Sequence, residues 1–469
     1  MFYSIMSNIF YMTGIFLIVY MLFVFSFYLF IFFVSAVELR KKLGIETAQH
    51  EELLYSYDTK PVTILVPAYN EQMGIVQSVR SLLSMNYPEY EIVVINDGSK
   101  DNTLQVMIDQ FSMEKIPLVI RKSLDTKEIK AVYRSKVYKH VYLVDKENGG
   151  KADALNAGIN VSKYPYFCTL DGDSILERDA FLQVMKPIID SNGEVIAVGG
   201  SVRIANGCKI ERGEVVEVGL SSRPLVIMQV IEYLRAFLMG RIGLSKFNIL
   251  LIVSGAFGVF HKDWVLKAGG YNPNTVGEDM ELVVRLHRLL KDEKSTNRIE
   301  YIPDPVCWTE APDSIRVLQR QRSRWQRGLF ETLSLHRGML LNPRYKSVGL
   351  ISLPYFLLIE LLGAAVEFLG YVIIIMGITF SLISWKMAIL LFCLSLLYGS
   401  FLSMCGVLLE EWSLRKYPKV KDIVKLFFMA LSETFWYRPM TTFFRVQGLL
   451  QARNKKHSWG DMERKGVSS

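Results

Sequence analysis

Cysteine is scarce and scattered. Cys168, Cys208, Cys307, Cys393 and Cys405 are the only five in 469 residues, and no two share a metal-ligand spacing. That excludes a disulfide framework and a thiolate metal site, and it fits a reducing compartment. The chain also lacks the full spacing of a P-loop or of a dinucleotide fingerprint. Gly149-Gly150-Lys151 is the nearest approach and matches neither. Charge is missing altogether from Ile9–Val37, and no Lys or Arg precedes that run. It is too long for a signal-peptide core and long enough to span a bilayer with tilt, so it reads as a retained anchor. Arg40, Lys41 and Lys42 follow at once, which places the next domain in the cytoplasm and the N-terminus outside.

What is present divides in two. The chain is 51% hydrophobic and 12% aromatic, with a mean hydropathy of +0.23, too apolar for an ordinary soluble enzyme. Charged residues still make up 21%, so one water-exposed domain joined to membrane segments fits both numbers. The net charge of +8 collects at Arg40–Lys42, Arg415–Lys421 and Arg453–Lys456, beside apolar segments. That distribution suits anionic lipid at cytoplasmic flanks and argues against nucleic acid as partner. Membrane composition returns at Val348. The run to Leu382, interrupted by Pro354, Glu360 and Glu367, reads as an interfacial or re-entrant piece followed by a span over Leu361–Ile383. Ala388–Leu409 runs back, giving three spans and a cytoplasmic C-terminus. Phe427–Tyr437 and Met440–Leu450, parted by Arg438-Pro439, read as amphipathic surface helices; the basic tail speaks against a fourth span. Glu367 inside a span is expensive and marks a candidate polar path.

Between the membrane regions, strand and helix signals alternate. Val62–Val66, Glu91–Ile95, Val141–Val144 and Tyr166–Leu170 read as buried strands; helical spacing follows at Ile75, Val79 and Leu82 and at Leu104, Met107 and Phe111. Such alternation predicts an α/β domain with a mainly parallel, Rossmann-like sheet covered on both faces. Ligands of such sheets bind beyond the carboxyl ends of the strands, where strand order reverses. Asp97 follows the second strand, and Asp171-Gly172-Asp173 follows Tyr166–Leu170, so all three acids belong at that edge. Paired carboxylates there suit Mg²⁺ or Mn²⁺ together with substrate phosphates, although Asp-Gly-Asp is also ordinary turn chemistry and Asp97 alone would read as a turn residue.

Four further stretches carry chemistry. Lys151 opens a helix behind two glycines, a place for a diphosphate or simply for a solvated lysine. Ser254-Gly255-Ala256-Phe257-Gly258 is either tight packing or a loop that lets substrate approach the backbone. Glu278 and Asp279 open another helix, as dipole partners or as a general base. Asp313 reads as the cap of a helix on which Gln321, Arg324 and Trp325 share one face. That face suits a phosphate and a stacked sugar, or an interfacial helix with Trp at the headgroups.

In order and separation these pieces resemble the membrane-embedded family 2 glycosyltransferases: cellulose, chitin and hyaluronan synthases and bacterial poly-N-acetylglucosamine synthases. The resemblance runs from Val66-Pro67-Ala68-Tyr69-Asn70-Glu71 through Asp97-Gly98, Asp171-Gly172-Asp173 and Glu278-Asp279 to Gln321-Arg322-Ser323-Arg324-Trp325. Asn96 stands where many relatives have Asp, and Gly277 replaces a frequent Thr; the acids themselves are intact. The resemblance implies a GT-A fold over residues 57–312, after an anchor at 1–42 and before an interfacial helix at 313–347, spans at 348–412 and surface helices at 413–469. It implies that Pro67, Tyr69, Glu71 and Asp97 bind the nucleoside of a UDP-sugar, and that Lys151 approaches its diphosphate. Asp171 would contact the nucleotide and Asp173 would ligate Mg²⁺ or Mn²⁺, with Asp171 as a possible second ligand. Glu278-Asp279 would be the catalytic acids, Asp279 the base. Gln321, Arg324 and Trp325 would hold diphosphate and acceptor end, with Ser254 and Gly255 beneath the acceptor.

One base and one displacement imply inversion, without the nucleophilic carboxylate of retaining glycosidases. The expected activity is processive β-transfer to a growing polysaccharide, N-acetylglucosamine first and glucose second as donor sugar, at the plasma or inner membrane, with room for accessory export subunits. Single transfer to a membrane lipid is the alternative, because ceramide glucosyltransferases carry a similar Gln-x-x-Arg-Trp. An inactive export subunit would lack at least one of the acids.

Overall fold

The computed structural model describes residues 2–42, 59–172, 174–211, 213–382, 384–414, 416–417 and 419–452. The chain folds as two compact units. One gathers the N-terminal helix, the segment Ser221–Leu244 and the described residues from Pro312 to Ala452; the other gathers the described stretches between.

The second unit is built on one ten-stranded sheet. Its strands are β1 (Val62–Ala68), β2 (Tyr90–Asp97), β3 (Met113–Ile116), β4 (Ile129–Ser135), β5 (Val141–Lys146) and β6 (Tyr166–Leu170), with β7 (Ile175–Leu176), β8 (Val195–Ile204), β11 (Phe257–His261) and β12 (Arg298–Thr309). A separate hairpin pairs β9 (Lys209–Glu211) with β10 (Glu214–Glu217). The spatial order is β3-β4-β5-β2-β1-β6-β11-β8-β12-β7. β5, β2, β1 and β6 run parallel, and β11 enters antiparallel beside β6. Their residues read as mainly apolar runs, rich in Val, Ile and Leu at β1, β2 and β5 and Tyr-Phe-Cys-Thr-Leu at β6, because helices cover both faces and leave no wet side to alternate toward. Leu65, Val93, Val144 and Phe167 lie in one buried core with Leu155 and Ile159 of the helix Lys151–Val161.

The α/β expectation therefore holds, and so do the four strands and the helix opening at Lys151. The strands β8 and β12 were not legible. β12 carries Pro303, Asp304 and Pro305, and its pairing with β8 shifts register around Pro305. Proline removes a ladder donor, so its run reads as a loop.

The first unit is helical. Among the described residues, three helices are long and apolar enough to cross a membrane: Asn8–Lys41, Val348–Thr379 and Trp385–Ser413. The second corrects the expected re-entrant piece and later span, since the helix is continuous from Val348. Pro354 sits in its early turns, and wide π-turns at Val348–Ser352 and Phe356–Leu361 absorb the strain that would otherwise break it. Carbonyls released by the π-turn find partners: Gln326 Nε2 donates to Leu361 O at 3.0 Å, and Arg445 donates to Glu360 O. The C-terminal helices are Val420–Ser432 and Tyr437–Ala452, so Pro439 falls in a first turn, where its missing N–H costs nothing, rather than between helices. Ser221–Leu244, inside the expected 57–312 domain, belongs here because Glu232 and Arg235 pair with Arg322 and Glu433.

Candidate functional site

Strand order reverses at β1: β2 and then β5 follow on one side, β6 on the other. The carboxyl ends of β1 and β6 thus flank the crevice where such sheets bind ligands. β1 ends in Pro67 and Ala68 and runs into Tyr69, which is 40% exposed. Asn70 takes a positive φ of 57° and turns the chain. The loop is sewn to the one after β2: Asn70 N–H donates to Ser99 Oγ at 3.1 Å and Glu71 N–H to Thr103 Oγ1 at 2.9 Å. The Glu71 side chain reaches within 3.8 Å of where a Cβ on Gly172 would stand. Two strand-end loops and the Asp171-Gly172 turn are therefore neighbours.

Asp97 closes β2, and in the β2–β5 register it faces Lys146. Lys146 is fully buried; its ammonium lies 2.6 Å from Asp97 Oδ1 and 2.6 Å from Asp153 Oδ1. The two Asp97 oxygens also accept from Gly149 N–H at 3.0 Å and Gly150 N–H at 2.8 Å. Gly150 has φ 86°, a conformation other residues rarely adopt, so the turn needs glycine there. Beyond the expected nucleoside contact, Asp97 thus fixes the turn that launches Lys151. Lys146 escaped the sequence reading, although a lysine ending an apolar strand was its signal.

Lys151 begins its helix and reaches across the crevice. Its Nζ stands 2.5 Å from Asp171 Oδ1, 3.1 Å from Gly255 O and 3.9 Å from Glu278 Oε1. Burial works against the ammonium, but Asp171, Glu278 and Asp279 outweigh it and hold its pKa above the ordinary lysine value. Gly255 arrives there because β11 pairs antiparallel with β6, Phe257 opposite Leu170, so the loop before β11 falls at the end of β6. A Cβ at Gly255 would stand 2.9 Å from Asp279 Oδ2, so a larger residue there would push that carboxylate aside. Ser254 shapes the same loop, its carbonyl accepting from Phe257 N–H at 3.2 Å. Glu278 is buried, whereas Asp279 is only half-buried; its Oδ1 accepts from Met280 N–H at 2.8 Å.

Lys151, Asp171, Ser254, Gly255, Glu278 and Asp279 therefore gather at one sheet edge, with Pro67, Tyr69, Glu71 and Asp97 around the adjoining strand ends. Asp173 lies outside the described residues. Among the described residues, no group of three or more His, Cys, Asp or Glu is arranged to hold a metal by itself. Asp171 offers a hard oxygen that already faces a cation, the kind of donor a magnesium-type ion completed by phosphates takes.

Gln321, Arg324 and Trp325 belong to the helical unit, on Ile315–Leu335. Ser314 caps that helix, its Oγ accepting from Val317 N–H at 3.4 Å; the expected cap, Asp313, pairs with Arg223 instead. Arg322, Ser323 and Gln326 form the buried face, while Trp325 is 45% exposed. The shared face expected for Gln321, Arg324 and Trp325 is therefore the less buried one.

Two family models match the chain: "Glycosyl transferase family 2" over residues 63–265 and "Glycosyl transferase family group 2" over residues 166–402. A poly-β-1,6-N-acetyl-D-glucosamine synthase of Staphylococcus epidermidis is 32% identical over 275 residues, 58% of this chain and 55% of the relative. That of Staphylococcus aureus strain COL is 30% identical over 294 residues, 60% of each. The matches thus leave roughly two fifths of each relative's length uncovered. Among solved structures, the mannosyltransferase PcManGT from Pyrobaculum calidifontis, in complex with GDP-Man and Mn²⁺, superposes with a TM-score of 0.54 at 17% identity, covering 90% of this chain and 99% of that one. The fold is accordingly GT-A-like, and with the second model spanning half of the residues, from β6 into the third long apolar helix, the chain belongs to the family 2 glycosyl transferases.

Proposed function

We propose that this protein is an inverting β-glycosyltransferase that adds sugar from a UDP-sugar to a growing polysaccharide, N-acetylglucosamine being the favoured donor sugar. The observation that carries the reading is the meeting of Lys151, Asp171, the Gly255 carbonyl and Glu278 within 4 Å of one ammonium, with half-buried Asp279 at their rim. The similar poly-β-1,6-N-acetyl-D-glucosamine synthases of Staphylococcus support the choice of sugar and of a polymeric product.

Asp279 takes the proton of the acceptor hydroxyl; the hydroxyl oxygen forms its bond to the anomeric carbon as the bond to UDP breaks, and UDP leaves with that electron pair. Attack from the face opposite the leaving group inverts the centre. Lys151 stabilises the diphosphate as its charge develops, in a pocket dry enough to make that charge count. Pro67, Tyr69, Glu71 and Asp97 hold the nucleoside, Gln321 and Arg324 the diphosphate, and Trp325, with the Ser254–Gly255 loop, the acceptor end. Asp171 and Asp173 would hold Mg²⁺ or Mn²⁺, which when bound supplies further neutralisation of the diphosphate. The Mn²⁺ of the Pyrobaculum calidifontis structure is in keeping with this.

Passage of the product through the same molecule is part of the proposal, with the sheet unit cytoplasmic and the N-terminus outside. Its support is Glu367 within the helical unit: with Tyr20, Tyr371 and Tyr398 it borders a mostly apolar cavity of about 50 Å³. That holds one or two waters rather than a sugar ring, so passage requires the helices to part. The test is incubation of purified protein with radiolabelled UDP-N-acetylglucosamine and either metal. A polymer lengthening with time is expected; a lipid carrying one sugar would overturn processivity, and no transfer from any UDP-sugar would overturn the reading.

A further inference from the structure

We infer that Arg322 is a positioning residue for Trp325 and Gln321, through a buried ion pair with Glu232. The inference rests on the reading of Trp325 as the acceptor platform and adds what holds that platform in place.

Arg322 is 3% exposed, on the inner face of the helix Ile315–Leu335. Its guanidinium has several tasks at once. Nη2 donates to Glu232 Oε2 at 2.7 Å, Nη1 donates to Gln321 Oε1 at 3.0 Å, and Cζ lies 4.3 Å from the centroid of the Trp325 ring. Tyr437 OH donates to the same Glu232 oxygen at 2.6 Å, so the carboxylate is held from a third helix. A planar, delocalised cation can present its edge to a carboxylate while its face lies against an indole; a lysine ammonium offers neither the plane nor the fork. Trp325 is otherwise nearly half exposed, and an exposed aromatic ring without a backing surface samples several rotamers. The Glu232–Arg322 pair supplies that backing, and its burial gives it one geometry.

The experiment separates this inference from the functional reading. Protein labelled with 5-fluorotryptophan gives one ¹⁹F resonance per indole, and the Trp325 signal is identified by its loss in Trp325→Phe. In Arg322→Lys, which keeps the charge opposite Glu232, the Trp325 resonance is expected to move or broaden while the other six stay in place. Glu232→Gln, which changes almost no volume, is the second variant and should disturb the same resonance. An unchanged Trp325 signal in both variants overturns the inference, whatever the activity. In transfer assays Arg322→Lys is expected to raise the acceptor KM at least about fivefold, with a smaller rise in the donor KM through Gln321; an unchanged acceptor KM would also count against it. Whether Trp325 serves the acceptor at all is read separately, from the acceptor KM of Trp325→Ala.

Discussion

Lys151 and Asp171 form an ion pair of 2.5 Å across the crevice between β1 and β6, and Gly255 O completes the ammonium's shell at 3.1 Å. The pair joins three separate chain segments at the point where a diphosphate is proposed to leave. Lys151→Met should lower the turnover of UDP release by about 10²- to 10³-fold, the cost of removing one preorganised stabiliser of developing charge. Steady-state UDP release at saturating donor is the measurement; a loss below tenfold would move the leaving-group role elsewhere.

Asp279 and Glu278 are adjacent in sequence but unequal in burial, and only Asp279 has an accessible carboxylate. Asp279→Asn is expected to cut transfer by about 10²- to 10⁴-fold, the usual range for a general base, while UDP binding is retained. Calorimetric titration of UDP onto the variant checks the second half. Unchanged turnover would remove Asp279 from the chemistry.

Lys146 neutralises two buried carboxylates at once. Lys146→Met leaves Asp97 and Asp153 facing each other without a cation. Breaking a buried pair from one side costs about 3–5 kcal/mol, most of it from the charge left behind. The detergent-solubilised variant should unfold at distinctly lower temperature than the wild type. The triple change with Asp97→Asn and Asp153→Asn should recover part of that loss.

Glu367 and Arg438 form a two-toothed pair in the helical unit, with Tyr371 OH donating to the same carboxylate at 2.8 Å. Either single change, Glu367→Gln or Arg438→Met, should destabilise more than the two together, because the double variant leaves no uncompensated charge. Thermal unfolding of the three proteins in detergent tests this; additive losses would show that the two side chains do not depend on each other.

His287 is buried beneath the Leu250 carbonyl, 2.9 Å from its Nε2, and burial, with some help from Lys291, lowers its pKa to about 4. The unfolded chain takes up a proton near pH 6.5, whereas the folded one resists until about 4. Between those values the unfolded state binds more protons, so stability falls as pH drops through that window, by about 3 kcal/mol in all. Denaturation curves from pH 7 to 4 should show that slope flattened in His287→Gln.

The sequence pattern alone decided that this chain has a long apolar N-terminal helix, an α/β domain and further apolar helices. Ile9–Val37 has no charge to keep it in water, and the buried runs at β1, β2, β5 and β6 have no wet face. The acids at the strand ends were legible too, because strand ends in parallel sheets share one edge. Tertiary structure alone decided what those acids touch. The loop at Gly255 meets Lys151 only because β11 reverses direction beside β6, and no local signal announces the direction of a strand. Lys146 and Arg322 look like solvated charges in the sequence; only the fold supplies the carboxylates that make their burial possible. The helix from Val348 to Thr379 survives Pro354 for the same kind of reason: the backbone groups released by its π-turn are taken up by Gln326 and Arg445, residues far away along the chain.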